Sequence, residues 1–161
     1  MRVISNSGPL IHLARAGHFD LPKLLYGRLV IPPSVYQEVV IRGRGKAGSR
    51  ELSTARWISQ QRPRRREVVT ALGAFLGRGE AEAIALASEK TGTLLLIDEA
   101  HGRRVARQMG IEVLGTLGLL LKGHREKHVQ DLKMAVDRMR ERGTWIADDV
   151  VEAVLAAAAR R

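Results

Sequence analysis

Short apolar runs alternate with helically spaced apolar positions along most of the chain. Residues 2–5 predict a short buried strand that breaks at Asn6, Ser7, Gly8 and Pro9, after which Leu10, Ile11, Leu13 and Ala14 take helical spacing. A second cycle follows. Leu29, Val30 and Ile31 form an apolar run, Pro32 and Pro33 stop it, and Val35, Val39 and Val40 predict a helix beginning near Ser34 that carries Glu38. Residues 68–76 suit a helical turn or two, and Gly77, Arg78 and Gly79 punctuate. Glu80 then opens a strong helix of Ala81, Ala83, Ile84, Ala85, Leu86 and Ala87, which Gly92 ends. Residues 93–97 predict an apolar strand ending at Asp98 and Glu99. A helix through Val105, Ala106 and Met109 and a short strand over 111–114 come next. Past Thr116 the pattern turns helical, with Val129, Leu132, Val136 and Met139 on one stripe. A break at 143–146 precedes a last helix from Asp148, read as its N-cap, to about Ala159.

Repeated βα alternation with nearly all-apolar strands predicts an α/β fold: a parallel sheet covered on both faces and wired by right-handed crossovers. The 161 residues, without internal repeat or Gly/Ser linker, predict a single domain over 1–161, with a basic insert at about 42–66 and a C-terminal helical extension at about 124–161.

Composition narrows the chemistry. At 45% hydrophobic and 27% charged, the chain can bury a core, which excludes global disorder. The absence of cysteine excludes disulfide scaffolds, Cys-ligated zinc, thiol nucleophiles and iron–sulfur centres, and makes the cytoplasm the expected compartment. No apolar run approaches the roughly 18 residues of a membrane span, and no leader pattern opens the chain, so it reads as neither secreted nor membrane-spanning. The formal charge is +10, and its distribution is uneven. Arg42, Arg44, Lys46, Arg50, Arg56, Arg62, Arg64, Arg65 and Arg66 face only Glu51 over 42–66. Such a segment attracts polyanions by counterion release, which favours RNA or DNA as partner. A solvated loop whose charge merely confers solubility is the alternative, and an anionic membrane surface is weaker because no sustained apolar face accompanies the charges.

Several motif matches fail on context. Gly43, Gly45 and Gly48 spell GxGxxG, but they follow a predicted helix rather than a strand. The same stretch has P-loop spacing with Ser49 where the Lys belongs. His124 and His128 stand i, i+4 as in a zincin helix, yet Glu126 is displaced, so they read as solvated histidines. Ser7 lacks an evident His base and reads as a turn residue rather than a nucleophile.

What remains is a set of oxygen-bearing side chains where an open parallel sheet places its site, at the carboxyl ends of the strands. Asn6 and Asp98 end two strands, Glu38 follows the second strand, and Glu80 opens the helix before the 93–97 strand; Glu82 and Glu99 are neighbouring alternates. Without Cys or clustered His, such a set suits Mg²⁺ or Mn²⁺. Each residue also has a structural reading. Glu80 complements a helix dipole, Asn6 caps a turn, Asp98 caps the following helix, and Glu38 is an exposed helix acid.

Five segments together carry a family resemblance: VISNSGPLIHLARAGHFDLPKLLYG (3–27), LVIPPSVYQEVV (29–40), LGRGEAEAIALA (76–87), LLLIDEAHGRRVARQMGIEVLGTLGLLL (94–121) and GTWIADDVVEAVL (143–155). In this order they resemble PIN-domain proteins of the VapC-like nuclease group, in particular the compact subfamily known as DUF3368. The resemblance implies a PIN-like three-layer sandwich with a central parallel sheet of four or five strands. It implies a metal-dependent endoribonuclease site for Mg²⁺ or Mn²⁺, with the acidic positions falling on Asn6, Glu38, Glu80 (or Glu82) and Asp98 and with Ser7 and Thr116 close by. Most active members carry Asp where Asn6 stands, and one neutral carbonyl oxygen should hold a cation less tightly. The implied role is toxin-like, restrained by a cognate antitoxin, with homodimers common. Arg42, Arg44, Lys46, Arg50, Arg62, Arg64, Arg65 and Arg66 would contact the RNA backbone, and Trp57 either stacks on a base or belongs to the core. The alternative is a catalytically weak or inactive PIN module that binds RNA or a protein. A phosphoacceptor reading of Asp98 fares worse, because 5–7 supply no acidic pair after the first strand.

Overall fold

The computed structural model describes residues 1–160. Among them, β1 (Val3–Ser5), β2 (Leu29–Ile31), β3 (Ile58–Gln60), β4 (Leu94–Leu96) and β5 (Glu112–Leu114) form one wholly parallel sheet in the order β3-β2-β1-β4-β5. Side chains alternate across a strand, so each strand serves both faces. Val3, Leu29, Ile31, Leu94 and Leu96 enter one core cluster, while Ile4, Leu95 and Ile97 enter the other. This explains why β1, β2 and β4 are nearly all apolar: both faces are covered, and of their residues only Val30 is half-exposed.

Helices α1 (Ser7–Ala16), α2 (Leu21–Tyr26), α8 (Thr116–Arg125) and α9 (Leu132–Glu141) contribute to the first cluster, and α5 (Arg66–Gly73), α6 (Arg78–Ser88) and α7 (Ala100–Gln108) to the second. After β2 the chain makes a single turn α3 (Pro33–Tyr36) that widens into a π-helical turn (Gln37–Ile41), closed by the Arg42 N–H on the Gln37 carbonyl at 2.9 Å. The crossovers cover the first face until β3 and the second face from β3 to β5. Strand order therefore reverses between β1 and β4, and a crevice opens at their carboxyl ends.

Three sequence expectations change. The basic insert is not a bare loop, for it contains α4 (Ser49–Thr54) and the edge strand β3, whose Ser59 and Gln60 face solvent. Asp148 is the first residue of α10 (Asp148–Ala159) rather than its cap; Ala147 occupies that place, and Asp148 pairs with Arg140 at 2.9 Å. His124 is half-buried and not merely solvated, since its Nδ1 bonds the Val129 carbonyl at 2.8 Å and closes the end of α8. No helix among the described residues is long and apolar enough to cross a membrane.

Candidate active site

The register of β1 against β4 sets Ser5 opposite Leu96, so the residues that follow the two strands emerge together. The Asn6 N–H donates to the Leu96 carbonyl at 3.0 Å. Asn6 precedes α1 in an extended conformation, yet its side chain makes no capping bond. Its Oδ1 is buried without a hydrogen-bond partner, in a residue only 5% exposed. A buried carbonyl oxygen left unpaired costs free energy unless something arrives to meet it. Facing it is α6, which enters through Arg78, Gly79 and Glu80. A β-carbon on Gly79 would stand 3.2 Å from Glu38 Oε2 and 3.4 Å from Asn6 Oδ1, so both oxygens lie within 3.4 Å of one point. The π-helical turn presents Glu38 here, and the Ser7 hydroxyl donates to Glu38 Oε2 at 3.0 Å. Asn6, Ser7, His12, Glu38, Arg42, Arg78, Glu80, Asp98 and Glu99 line the resulting cleft of about 510 Å³.

Asp98 is the most tightly held acid. His12 Nδ1 on α1 donates to its Oδ2 at 2.7 Å, the Thr116 hydroxyl to the same oxygen at 2.7 Å, and the Thr116 N–H to Oδ1 at 2.7 Å. Burial alone would push this carboxyl up, but the bonds from His12 and Thr116 outweigh it and hold Asp98 below the ordinary aspartate value. Glu80 goes the other way. Burial, then a hydrogen bond with Glu99, then the charges of Glu99 and Glu38 push it up to about 7. The cleft thus holds more negative charge than it can neutralise internally. Among the described residues, however, no three His, Asp or Glu side chains cluster tightly enough to grip a bare ion.

A family model described as "DUF3368: PIN domain" matches residues 2–160. The chain belongs to this PIN-domain family. No curated protein and no solved structure matches it. The parallel five-stranded sheet between two helical layers is the α/β sandwich of the PIN fold, and PIN membership carries a nuclease-type function in general.

The PIN cleft gathers Asn6, Ser7, Glu38, Glu80, Asp98 and Glu99, with Thr116 behind Asp98. It does not gather Glu82. That carboxylate is buried on the far side of α6's first turn, where the Ser34 hydroxyl reaches Oε2 at 2.9 Å and Arg78 reaches Oε1 at 3.2 Å. The basic residues divide. Arg42 lines the cleft, and with Arg15 and Lys46 it borders an adjoining depression that shares Glu38. Arg44 and Arg50 are exposed outside both. Arg62, Arg64, Arg65 and Arg66 lie at the other end of α6, where the Arg64 N–H bonds the Glu89 carboxylate at 2.9 Å. Trp57 is core: it packs edge-on against Phe19 at 5.8 Å, away from the cleft. Two lining residues escape the sequence reading, His12 and Arg78. His12 had one signal, a lone imidazole inside the apolar run from Pro9 to Ala14, with nothing to say that its partner would be 86 residues away.

Proposed function

We propose that this PIN domain is a Mg²⁺- or Mn²⁺-dependent endoribonuclease of the toxin-like kind, hydrolysing RNA phosphodiester bonds in the cleft between β1 and β4. The observation that carries the reading is the unpartnered Asn6 Oδ1, buried within reach of the same point as Glu38 Oε2 and sharing its cleft with Glu80 and Asp98. A hard, oxygen-only donor set with excess negative charge fits a cation of this class, held directly or through water by Asn6, Glu38, Glu80 and Asp98, with Glu99 alongside. When bound, such an ion polarises the scissile phosphate and lowers the pKa of a water. The chain's own residues prepare that chemistry. His12 and Thr116 fix Asp98 in its ionised form, Ser7 orients Glu38, and Glu80 keeps a proton near neutrality that positive charge would displace. Arg42 in the cleft and Lys46 in the adjoining depression position the phosphate backbone without reading sequence. An antitoxin, or a second copy of the chain, would regulate the site by covering the cleft.

The test is RNA cleavage by the purified protein in Mn²⁺, beside Asp98→Asn and Glu38→Gln. Activity should vanish in EDTA and in both variants; equal cleavage by all three proteins would assign it to a contaminant and end the proposal. Among the described residues no three acidic or imidazole side chains form a tight cage, which favours one rival, a module that binds RNA without cutting. Asn6→Asp separates them. A gain in Mn²⁺ affinity and in cleavage marks a weakened nuclease, whereas tight RNA binding by both forms without cleavage marks a binding module.

A further inference from the structure

Beside the cleft, outside its lining, stands a surface that carries no acid. Phe75 stands two residues before Gly77 at the rim; it is 53% exposed and belongs to neither core cluster. Its ring centroid lies 5.8 Å from that of His101, tilted by 38°. His101 is exposed in the first turn of α7, next to Gly102, where a β-carbon would stand 3.2 Å from Glu80 Oε2. The aromatic pair is therefore anchored beside the carboxylate cluster. One turn further along α7, Arg104 and Arg107 border a groove of about 440 Å³ that begins at Ala100. Both are exposed, and neither enters an ion pair among the described residues.

A single exposed Phe needs no explanation. A Phe paired with an imidazole, beside the acidic cleft and at the head of an uncompensated arginine groove, is a different matter. Flat aromatic faces hold bases and guanidinium groups hold phosphates, which is the pairing that binds single-stranded nucleic acid. A base inside a duplex has both faces covered by its neighbours and offers only edges, so such a platform selects unpaired segments. We propose that Phe75 and His101 form a stacking platform for an unpaired RNA base beside the acidic cleft, and that Arg104 and Arg107 carry the strand's adjoining phosphates along α7. The inference rests on the nuclease reading for the meaning of the cleft, while its binding test does not depend on cleavage.

The probe is a short single-stranded oligoribonucleotide containing a fluorescent purine analogue, titrated in EDTA so that no cleavage occurs. Stacking should quench the analogue. Phe75→Ala should abolish the quench and weaken binding roughly tenfold, in line with the alanine cost of one base–aromatic stack, and Phe75→Trp should restore both. Arg104→Gln with Arg107→Gln should flatten the slope of log affinity against log salt by about 1.4, at roughly 0.7 per phosphate contact. Equal affinity and quench in the wild type and Phe75→Ala, or binding of a perfect RNA duplex with the same dependence on Phe75, would overturn the platform. A protein that cuts RNA in Mn²⁺ while its binding ignores Phe75 keeps the nuclease and loses the platform. One that never cuts yet quenches through Phe75 does the reverse.

Discussion

Gly79 lies in the first turn of α6 without a positive φ, so alanine suits its backbone. Replacing a helical glycine by alanine ordinarily gains about 0.5–1 kcal/mol. Here the added methyl would sit between Glu38 Oε2 and Asn6 Oδ1, in the space proposed for the cation. The Glu38 carboxylate must shift slightly to admit it, so Gly79→Ala should remain folded by thermal melting while binding Mn²⁺ more weakly by calorimetry; undiminished Mn²⁺ affinity would clear the position of any role. His12→Ala removes one of three donors from Asp98 and should cost about 10- to 100-fold in Mn²⁺ affinity, as loss of an orienting partner usually does. Unchanged affinity would reduce His12 to a packing residue. That Asn6 and Asp98 would share a cleft was legible because both end apolar runs, whereas Glu38 and Glu80, which lie on helices, were placed there by the order of the βα units and by the family resemblance. His12 was not legible, since its use depends on how α1 is rotated against β4. Glu82, two residues from Glu80, is carried by the helix's own turn to the opposite side, a displacement that spacing alone could have suggested.

At the scale of elements, the apolar strands and alternating helices could be read directly, since each central strand buries both its faces. β3 could not. Only Ile58 of its three residues is partly buried, and an edge strand inside a basic stretch lacks the apolar run that marks the others. The π-helical turn that presents Glu38 has no sequence signature either. Trp57 illustrates what β3 does. Its carbonyl accepts the Leu29 N–H at 3.1 Å, and its ring braces Phe19, so it ties the basic segment to the sheet. Trp57→Ala should destabilise the fold by about 2 kcal/mol in urea titration, below the roughly 3–5 of a fully buried Trp. RNA affinity lost with stability intact would return this indole to a stacking role.

For the whole molecule, charge that looked continuous in the sequence is split by the fold. Arg42 lines the cleft and Lys46 the depression beside it, whereas Arg62 to Arg66 lie beyond the length of α6, about 16 Å at 1.5 Å per residue. Net charge is a property of the chain; which face it serves depends on a strand the pattern concealed. Stability should also depend on pH away from the cleft. Burial, and then the charge of Arg138, hold His18 below the ordinary imidazole value of 6.5. The unfolded chain therefore takes up that proton first, and stability present above pH 6.5 declines as pH falls through the folded value. His18→Gln should flatten the decline in melting temperature between about pH 7 and 5; an unaltered decline would place its source elsewhere. A different kind of linkage is built into Asp98. One carboxylate clasps α1 through His12 and the first turn of α8 through both the hydroxyl and the amide of Thr116. It is a hinge pin as well as an acid, so any occupant that draws on its lone pairs must slacken or tighten two helices at once, and the Thr116 amide proton is the natural place to watch for it.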